Sequence, residues 1–238
     1  MNKKSETFFT QNEKKSIETA IKEAESRTSG EIVTMVVERS DSYRDIDVIA
    51  GLIISALISV YPAGIVYAAS ETLLRKLIPS MNWYSHIPDG TRFLTGLTVF
   101  IALTIILHYP VKLIFMKFPS LKRFILSIKR MDAEVQARAL RGFHEHGLDK
   151  TKDATGVLFL ISILEKRVHV LADHGIYTRI KQESLDKYAA SIGKGIASGN
   201  GAEALCSAIK DAGQELEKHF PRKIDDRNEL SNRIVTEK

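Results

Sequence analysis

The chain has 238 residues, with 34 Lys and Arg against 29 Asp and Glu, and a net charge of +5. Its hydrophobic fraction of 44% and charged fraction of 26% exclude a wholly disordered chain. The 14 Gly and 6 Pro exclude collagen-like and low-complexity chains. The single cysteine, Cys206, excludes a disulfide scaffold and agrees with a reducing compartment.

The first part of the chain, residues 1–47, predicts one helix followed by one strand. Thr10 and Glu13 have the spacing of a capping box, and apolar residues then recur at helical spacing up to Ala24. The run Glu31–Val37 is rich in β-branched residues and almost continuously apolar, which is typical of a strand covered on both faces. A lone strand cannot bury two faces, so we expect this part to pack against later parts of the chain.

Two long apolar stretches follow and predict a transmembrane helical hairpin over residues 48–116, with spans of about 48–70 and 93–115. The first stretch has no Asp, Glu, Lys, Arg or His. As a helix it rises about 34 Å, enough for a hydrocarbon core of about 30 Å. Neither stretch has the polar face of a soluble helix. The first lies behind a polar segment and does not fit a signal peptide.

The distribution of Lys and Arg predicts the orientation of this hairpin. Nine of them flank the spans on the side of the two termini, and three lie in the loop 71–92. The positive-inside rule therefore predicts a multi-pass protein of the cell (inner) membrane with both termini in the cytoplasm, and with Trp83 and Tyr84 outside. We expect the basic run after the second span to meet anionic lipid head groups rather than nucleic acid. The residues concerned are Lys117, Lys122, Arg123, Lys129 and Arg130.

The third part of the chain, residues 117–221, predicts further α/β elements. A helix is expected around residues 131–143, and then strands over residues 156–164 and 168–172 joined by a tight turn. Two more amphipathic helices are expected over residues 185–196 and 204–216. The charged segment 222–238 predicts a flexible tail. We interpret residues 1–47 and 117–221 as one α/β domain divided by the hairpin.

Several short motifs of these elements resemble the TPM domain family, in its membrane-embedded bacterial branch. The motifs of the family are Thr28-Ser29-Gly30-Glu31-Ile32, Ala154-Thr155-Gly156-Val157-Leu158, and the run from Arg167 to Ile176. The resemblance to the membrane-embedded branch comes from His219-Phe220-Pro221 and Asn228-Glu229-Leu230. The resemblance implies an α/β sandwich, a central sheet with helices on both faces, here interrupted by the two-helix transmembrane hairpin. Some members of the family bind calcium, and plant members have a weak acid phosphatase activity. Soluble members carry a glutamate two residues after the glycine matched by Gly175, where this chain has Tyr177, which weakens the transfer of either property.

Three carboxylates at predicted strand ends form a candidate metal site. Asp173 follows the third strand, Asp153 precedes the second, and Glu31 begins the first. Because ligands of α/β sheets gather beyond strand ends and hard cations prefer oxygen, these residues predict a site for Ca²⁺ or Mg²⁺. Two alternatives stay open. Asp173-His174-Gly175 also fits a simple turn in which the aspartate binds nearby backbone amides, and Glu31 also fits an exposed or capping carboxylate.

Other motifs do not predict a site. His144 and His146 are two residues apart, which points their imidazoles in different directions on a helix. The segment around Gly193-Lys194-Gly195 lacks the first glycine and the hydroxyl residue of a phosphate-binding loop. His108 lies near the end of the second span and is expected to face the membrane interface.

The sequence leaves the question of enzymatic activity open. Our first interpretation is an accessory or binding module for membrane-protein complexes, with a cytoplasmic TPM-like domain. The alternative is a weak metal-dependent acid phosphatase, in which Asp173 and its neighbours hold the cation. A pore formed by the hairpin ranks last, because the second span has few polar residues to line a channel.

Overall fold

The computed structural model of the chain describes residues 4–77, 89–223 and 228–237, and the expected outer residues Trp83 and Tyr84 lie outside these ranges. The chain forms two compact units, Tyr43–Leu126 and the combination of Met1–Ser42 with Ser127–Lys238. The helices are α1 (Gln11–Glu25), α2 (Arg44–Leu77), α3 (Asp89–Lys117), α4 (Lys122–Ile125), α5 (Ile128–Glu145), α6 (His174–Tyr177), α7 (Gln182–Ala197) and α8 (Gly201–His219). The strands are β1 (Glu31–Val37), β2 (Gly156–Ser162), β3 (Arg167–Ala172) and β4 (Val235–Glu237).

The start of α1 confirms the predicted capping box. The Thr10 hydroxyl oxygen accepts the Glu13 backbone N–H at 3.3 Å, and the Glu13 carboxylate accepts the Thr10 backbone N–H at 2.7 Å. The backbone N–H and the hydroxyl of Thr10 both donate to this carboxylate, and these hydrogen bonds lower the pKa of Glu13. The cap therefore provides acceptors for two backbone N–H groups that have no partner within the helix.

The four strands form one mixed sheet in the order β3-β2-β1-β4. Strand β1 pairs in parallel with β2, so that Glu31 lies opposite Gly156, and β3 returns antiparallel to β2. The turn between β2 and β3 contains Lys166 at a φ of 52°, in the left-handed region that a tight hairpin turn requires. Predicted strands β1, β2 and β3 are thereby confirmed to within two residues at their ends.

Two hydrophobic cores cover the two faces of this sheet and confirm the α/β sandwich. Alternate residues of β1 and β2, such as Ile32 and Phe159, pack with α1, α7 and α8 in the first core. The intervening residues, such as Val33 and Leu158, pack with α5 in the second core. This alternation explains why both strands are buried along their whole length and apolar at most positions. Cys206 on α8 packs against the first core, and burial raises the pKa of its thiol.

The C-terminal segment differs from the flexible tail expected from its charge. Residues 235–237 form β4, which pairs in parallel with β1 from Met35 to Val37 at one edge of the sheet. Leu230 packs against the second core, and Ile234 packs against the first. The described residues 228–237 are therefore part of the α/β unit, because β1 offers an open edge that a short strand can join.

The other unit contains the two long helices α2 and α3. They include candidate spans, Arg44–Ala69 and Arg92–Lys117, that are long and apolar enough to cross a membrane. Only 28% and 17% of their most apolar windows are buried within the protein, unlike the core helices of a soluble domain. Pro62 and Pro110 lie inside the helices without ending them. Helix α3 packs His108 against Gly51 of α2, so this imidazole contacts the neighbouring helix.

Candidate functional site

One end of the sheet collects the three carboxylates that the sequence analysis singled out. Glu31 begins β1, Gly156 begins β2 beside it, and Ala172 ends β3 opposite Val157. Because β3 runs antiparallel to β2, Asp173 after β3 lies at the same end of the sheet as Asp153 before β2. This is the amino end of the parallel strands, whereas ligands of open α/β sheets commonly bind beyond the carboxyl ends.

Glu31 is 6% exposed and binds the C-terminal segment of its own chain. Its Oε1 accepts the backbone N–H of Glu229 at 2.9 Å, and its Oε2 accepts the backbone N–H of Leu230 at 3.3 Å. A buried carboxylate that accepts backbone N–H groups makes strong, charge-assisted hydrogen bonds. The carboxylate of Glu31 therefore acts as a clasp that holds the segment leading to β4.

Glu25 supports the same clasp, and nothing in the sequence pattern marked it out. One of its carboxylate oxygens accepts the backbone N–H of Ile32 at 2.9 Å, and the other accepts the side-chain amide of Asn232. A cavity of about 140 Å³ lies beside Glu25 and Glu31. Two basic residues, Lys22 and Arg222, line it as well, together with Ser26, Thr28 and Asn228.

Asp153 and Asp173 have different surroundings at this sheet end. Both carboxylate oxygens of Asp153 lie 2.8 Å from the Lys223 ammonium. Asp173 caps the short helix α6, and its Oδ1 accepts the His174 backbone N–H at 2.6 Å. Its other oxygen, Oδ2, is buried and has no hydrogen-bond partner among the described residues. Asp173 thus has the geometry of a simple turn, in which the aspartate binds a nearby backbone amide. Its second carboxylate oxygen takes no part in this turn.

Gly175 brings this turn against the loop that carries Asp153. A Cβ at Gly175 would lie 2.6 Å from the backbone oxygen of Ala154 and 2.9 Å from that of Asp153. Both distances are shorter than van der Waals contact, so only glycine permits the two backbones to come this close. The glycine of the Asp173-His174-Gly175 motif therefore has a packing role that is independent of any ligand.

The three predicted carboxylates contact groups of their own chain at this end of the sheet. No group of three or more His, Cys, Asp or Glu side chains that could hold a metal ion occurs in residues 4–77, 89–223 and 228–237. Ca²⁺ requires six to eight oxygen ligands. Here both oxygens of Glu31 accept backbone N–H groups and both oxygens of Asp153 contact Lys223. Within the described part of the chain, Oδ2 of Asp173 is the one oxygen of the three side chains without a hydrogen bond or ion pair.

The two neighbouring histidines have separate partners, as their spacing predicted. His144 Nδ1 lies 2.9 Å from Asp149, and this hydrogen bond lowers the pKa of Asp149. His146 Nε2 lies 3.5 Å from the carboxylate of Glu237 in β4. The guanidinium of Arg138, which is largely buried, also contacts Glu237, and it binds Glu145 at 3.0 Å. The contacts of Glu237 with Arg138 and His146 attach β4 to α5 and to its C-terminal cap.

A buried polar cluster at the carboxyl ends of β1 and β2 was not predicted from the sequence. Glu165, in the turn after β2, is fully buried and accepts the backbone N–H of Ser40 at 3.0 Å. The hydroxyl of Ser162 also donates to Glu165, and the hydroxyl of Ser40 donates to Ser162 at 2.9 Å. Since all three residues are buried, the cluster ties the loop after β1 to the β2–β3 turn and offers no open surface to a substrate.

Within the helical unit, Lys122 differs from the other residues expected to meet lipid head groups. It is 2% exposed, and its ammonium lies 2.8 Å from Oδ1 and 2.9 Å from Oδ2 of Asp47, which is 4% exposed. Lys122 therefore forms a buried ion pair with Asp47, near the start of α2, and its ammonium is not exposed at the surface. Lys117 and Lys129 are exposed, and Arg123 and Arg130 are half-buried.

Comparison with known proteins agrees with this fold. The TPM domain family matches residues 120–215. The NMR structure of BA42 protein from the psychrophilic bacterium Bizionia argentinensis is similar over 96% of this chain and 95% of that chain, with a TM-score of 0.53. The two sequences are 22% identical, so the similarity shows a shared fold. No curated protein matches the sequence.

Proposed function

The chain carries a TPM domain, and we propose that it is an integral membrane protein in which this domain is an accessory or binding module for membrane-protein complexes. The domain would lie on the cytoplasmic face of the cell membrane, with both termini inside. The observation that carries the proposal is the pair of apolar helices inserted into the chain between β1 and α5. They would attach the domain to the bilayer at two neighbouring points.

The outer surface of the helices supports their place in a bilayer. Each candidate span has 26 residues, which rise about 39 Å and exceed a hydrocarbon core of about 30 Å. Three buried hydroxyls, those of Ser55, Ser59 and Thr104, donate to backbone oxygens of their own helix. Large apolar side chains cover the outer surface, which is the pattern that lipid requires.

A topology measurement tests the orientation. A reporter that is active only outside the cytoplasm, fused after Lys238, is expected to be inactive, and a fluorescent reporter that folds in the cytoplasm is expected to be bright at the same position. The reason is the excess of Lys and Arg beside the spans on the side of the termini. As a matched control, each reporter is inserted within residues 78–88, between the two candidate spans, where the two results should be exchanged. An external signal at the C-terminus would overturn the proposed orientation.

Two features, one at each end of the sheet, support a binding module over a hydrolase. The carboxylates of Glu31 and Asp153 contact groups of their own chain, which is a structural use of their charge. The polar cluster around Glu165 is buried and lies between two loops. A weak metal-dependent phosphatase remains the competing candidate, and one observation favours it: the buried Oδ2 of Asp173 has no hydrogen-bond partner among the described residues.

One preparation of the full chain, purified from native membranes in mild detergent after chemical crosslinking, separates these candidates. A binding module predicts membrane proteins crosslinked in constant proportion to the chain, and no release of phosphate from a generic phosphomonoester with Ca²⁺ or Mg²⁺. A phosphatase predicts turnover that a chelator removes, that Asp173→Ala abolishes, and that Asp186→Ala preserves, because Asp186 is an exposed carboxylate on α7. Such turnover, without crosslinked membrane proteins, would contradict the binding-module proposal.

A further inference from the structure

The short segment that follows α3 exposes four large apolar side chains. It comprises residues 118–125, with a 3₁₀ turn at Pro119–Leu121 and then α4. Phe124 is 90% exposed, and three further apolar side chains are exposed on the same segment. These three are Phe118, Leu121 and Ile125. Apolar side chains exposed to water forgo the free energy of burial, so a cluster of this kind normally has a partner.

The segment has a fixed conformation within the helical unit. Lys122 and Leu126, four residues apart, face inward and are buried. Lys122 forms the ion pair with Asp47, which joins α4 to the start of α2 across 75 residues of sequence. Because the inward side is anchored in this way, the exposed apolar residues are held on the opposite side of the turn rather than being free to fold inward.

Charge and position identify the partner of this surface. Lys117 is exposed and Arg123 is half-buried, and no Asp or Glu occurs between Asp89 and Asp132. The second candidate span ends at Lys117, so the segment begins where the chain would leave the hydrocarbon core. A cationic, apolar surface at this level is complementary to the head-group region of an anionic bilayer, where aromatic and aliphatic side chains reach the acyl chains and basic side chains meet phosphates.

We infer that residues 118–125 form an interfacial membrane anchor, with Phe124 inserted at the boundary between head groups and acyl chains. The inference rests on the proposed membrane location and refines it: besides crossing the bilayer, the protein attaches to the cytoplasmic surface of the bilayer through this segment. Lys122 has a structural role in the anchor, since its ion pair orients α4, and the lipid phosphates are met by Lys117 and Arg123.

Tryptophan fluorescence of the full chain in lipid nanodiscs tests this inference. Trp83 is the only tryptophan of the sequence, so Trp83→Phe provides a background without native emission. Phe124→Trp is compared with Leu57→Trp in the middle of α2, where Leu57 is 67% exposed, and with Leu140→Trp on α5, where Leu140 is 52% exposed. Lipids brominated close to the head group or close to the chain end quench tryptophans at the corresponding depths, and far-UV circular dichroism checks that each variant is folded.

We expect Phe124→Trp to emit at short wavelength and to lose most intensity with lipids brominated close to the head group. Leu57→Trp should lose more with bromine close to the chain end, and Leu140→Trp should emit as in water without quenching. Phe124→Trp emission that is water-like, or blue-shifted without quenching by either lipid, would overturn the interfacial anchor; the second outcome would indicate a protein partner. If Leu57→Trp also escapes quenching, the membrane location itself fails.

Discussion

Lys122→Met is expected to destabilise the helical unit by about 3–5 kcal/mol, because it leaves the Asp47 carboxylate buried without its counter-charge. The two residues are 2% and 4% exposed, and their charged groups lie 2.8 Å apart. In such a pair, the free energy of unfolding falls steeply when one partner is removed, since the desolvation of the other is no longer compensated. Unfolding of the full chain in mixed micelles, with increasing amounts of a denaturing detergent, measures this loss by circular dichroism.

Two further variants separate the pair from a general loss of charge. Asp47→Leu combined with Lys122→Met should recover most of the stability, because an apolar pair of similar volume avoids the desolvation cost of both charges. Lys117→Met removes an exposed cation nearby and should change the free energy of unfolding by no more than about 0.5 kcal/mol. If Lys122→Met is as stable as Lys117→Met, water solvates the pair and its proposed role in orienting α4 is wrong.

Glu31→Ala is expected to release the C-terminal segment and to cost the α/β unit about 2–3 kcal/mol. The substitution removes the acceptor of two backbone N–H groups, those of Glu229 and Leu230, from a buried position. Without Glu31, the segment is held by the contact of Glu25 with Asn232 and by the packing of Leu230 and Ile234. The pairing of β4 with β1 and the contacts of Glu237 with Arg138 and His146 also remain. Hydrogen exchange followed by mass spectrometry should therefore show faster exchange in the peptide that covers residues 228–237.

The controls for Glu31 test whether its carboxylate protects residues 228–237 from exchange. The alternatives are a general effect of removing a carboxylate near the end of α1 and the loss of a bound metal ion. Glu31→Gln keeps one acceptor and should produce a smaller acceleration of exchange. Glu23→Ala removes an exposed carboxylate of α1 and should leave the peptide protected. If added Ca²⁺ or Mg²⁺ stabilises the unaltered chain but not Glu31→Ala, the carboxylate serves a cation and the clasp is the wrong interpretation.

Local patterns along the sequence were sufficient for most of the fold. Strands β1 and β2 are apolar at most positions and buried at every position, which is typical of strands covered on both faces of a sheet, as the two cores confirm. The capping box at Thr10 and Glu13 involves neighbours within one turn. The apolar length of α2 and α3 likewise depends on composition alone. Each of these features is decided by residues close together in the sequence.

The tertiary structure decided which partner each charged residue has. Three residues, Val235–Glu237, carry no strand pattern, and they become β4 only because β1 has an open edge. Lys122 belongs to a basic run that suggests lipid contact, yet Asp47 from the start of α2 pairs with it. Glu31, Asp153 and Asp173 lie at one sheet end as expected, but backbone amides, Lys223 and the turn of α6 contact their carboxylates. A sequence pattern shows whether a segment is covered by apolar groups or by water. The counter-charge of a buried group comes instead from residues distant in the sequence, which only the folded topology brings near.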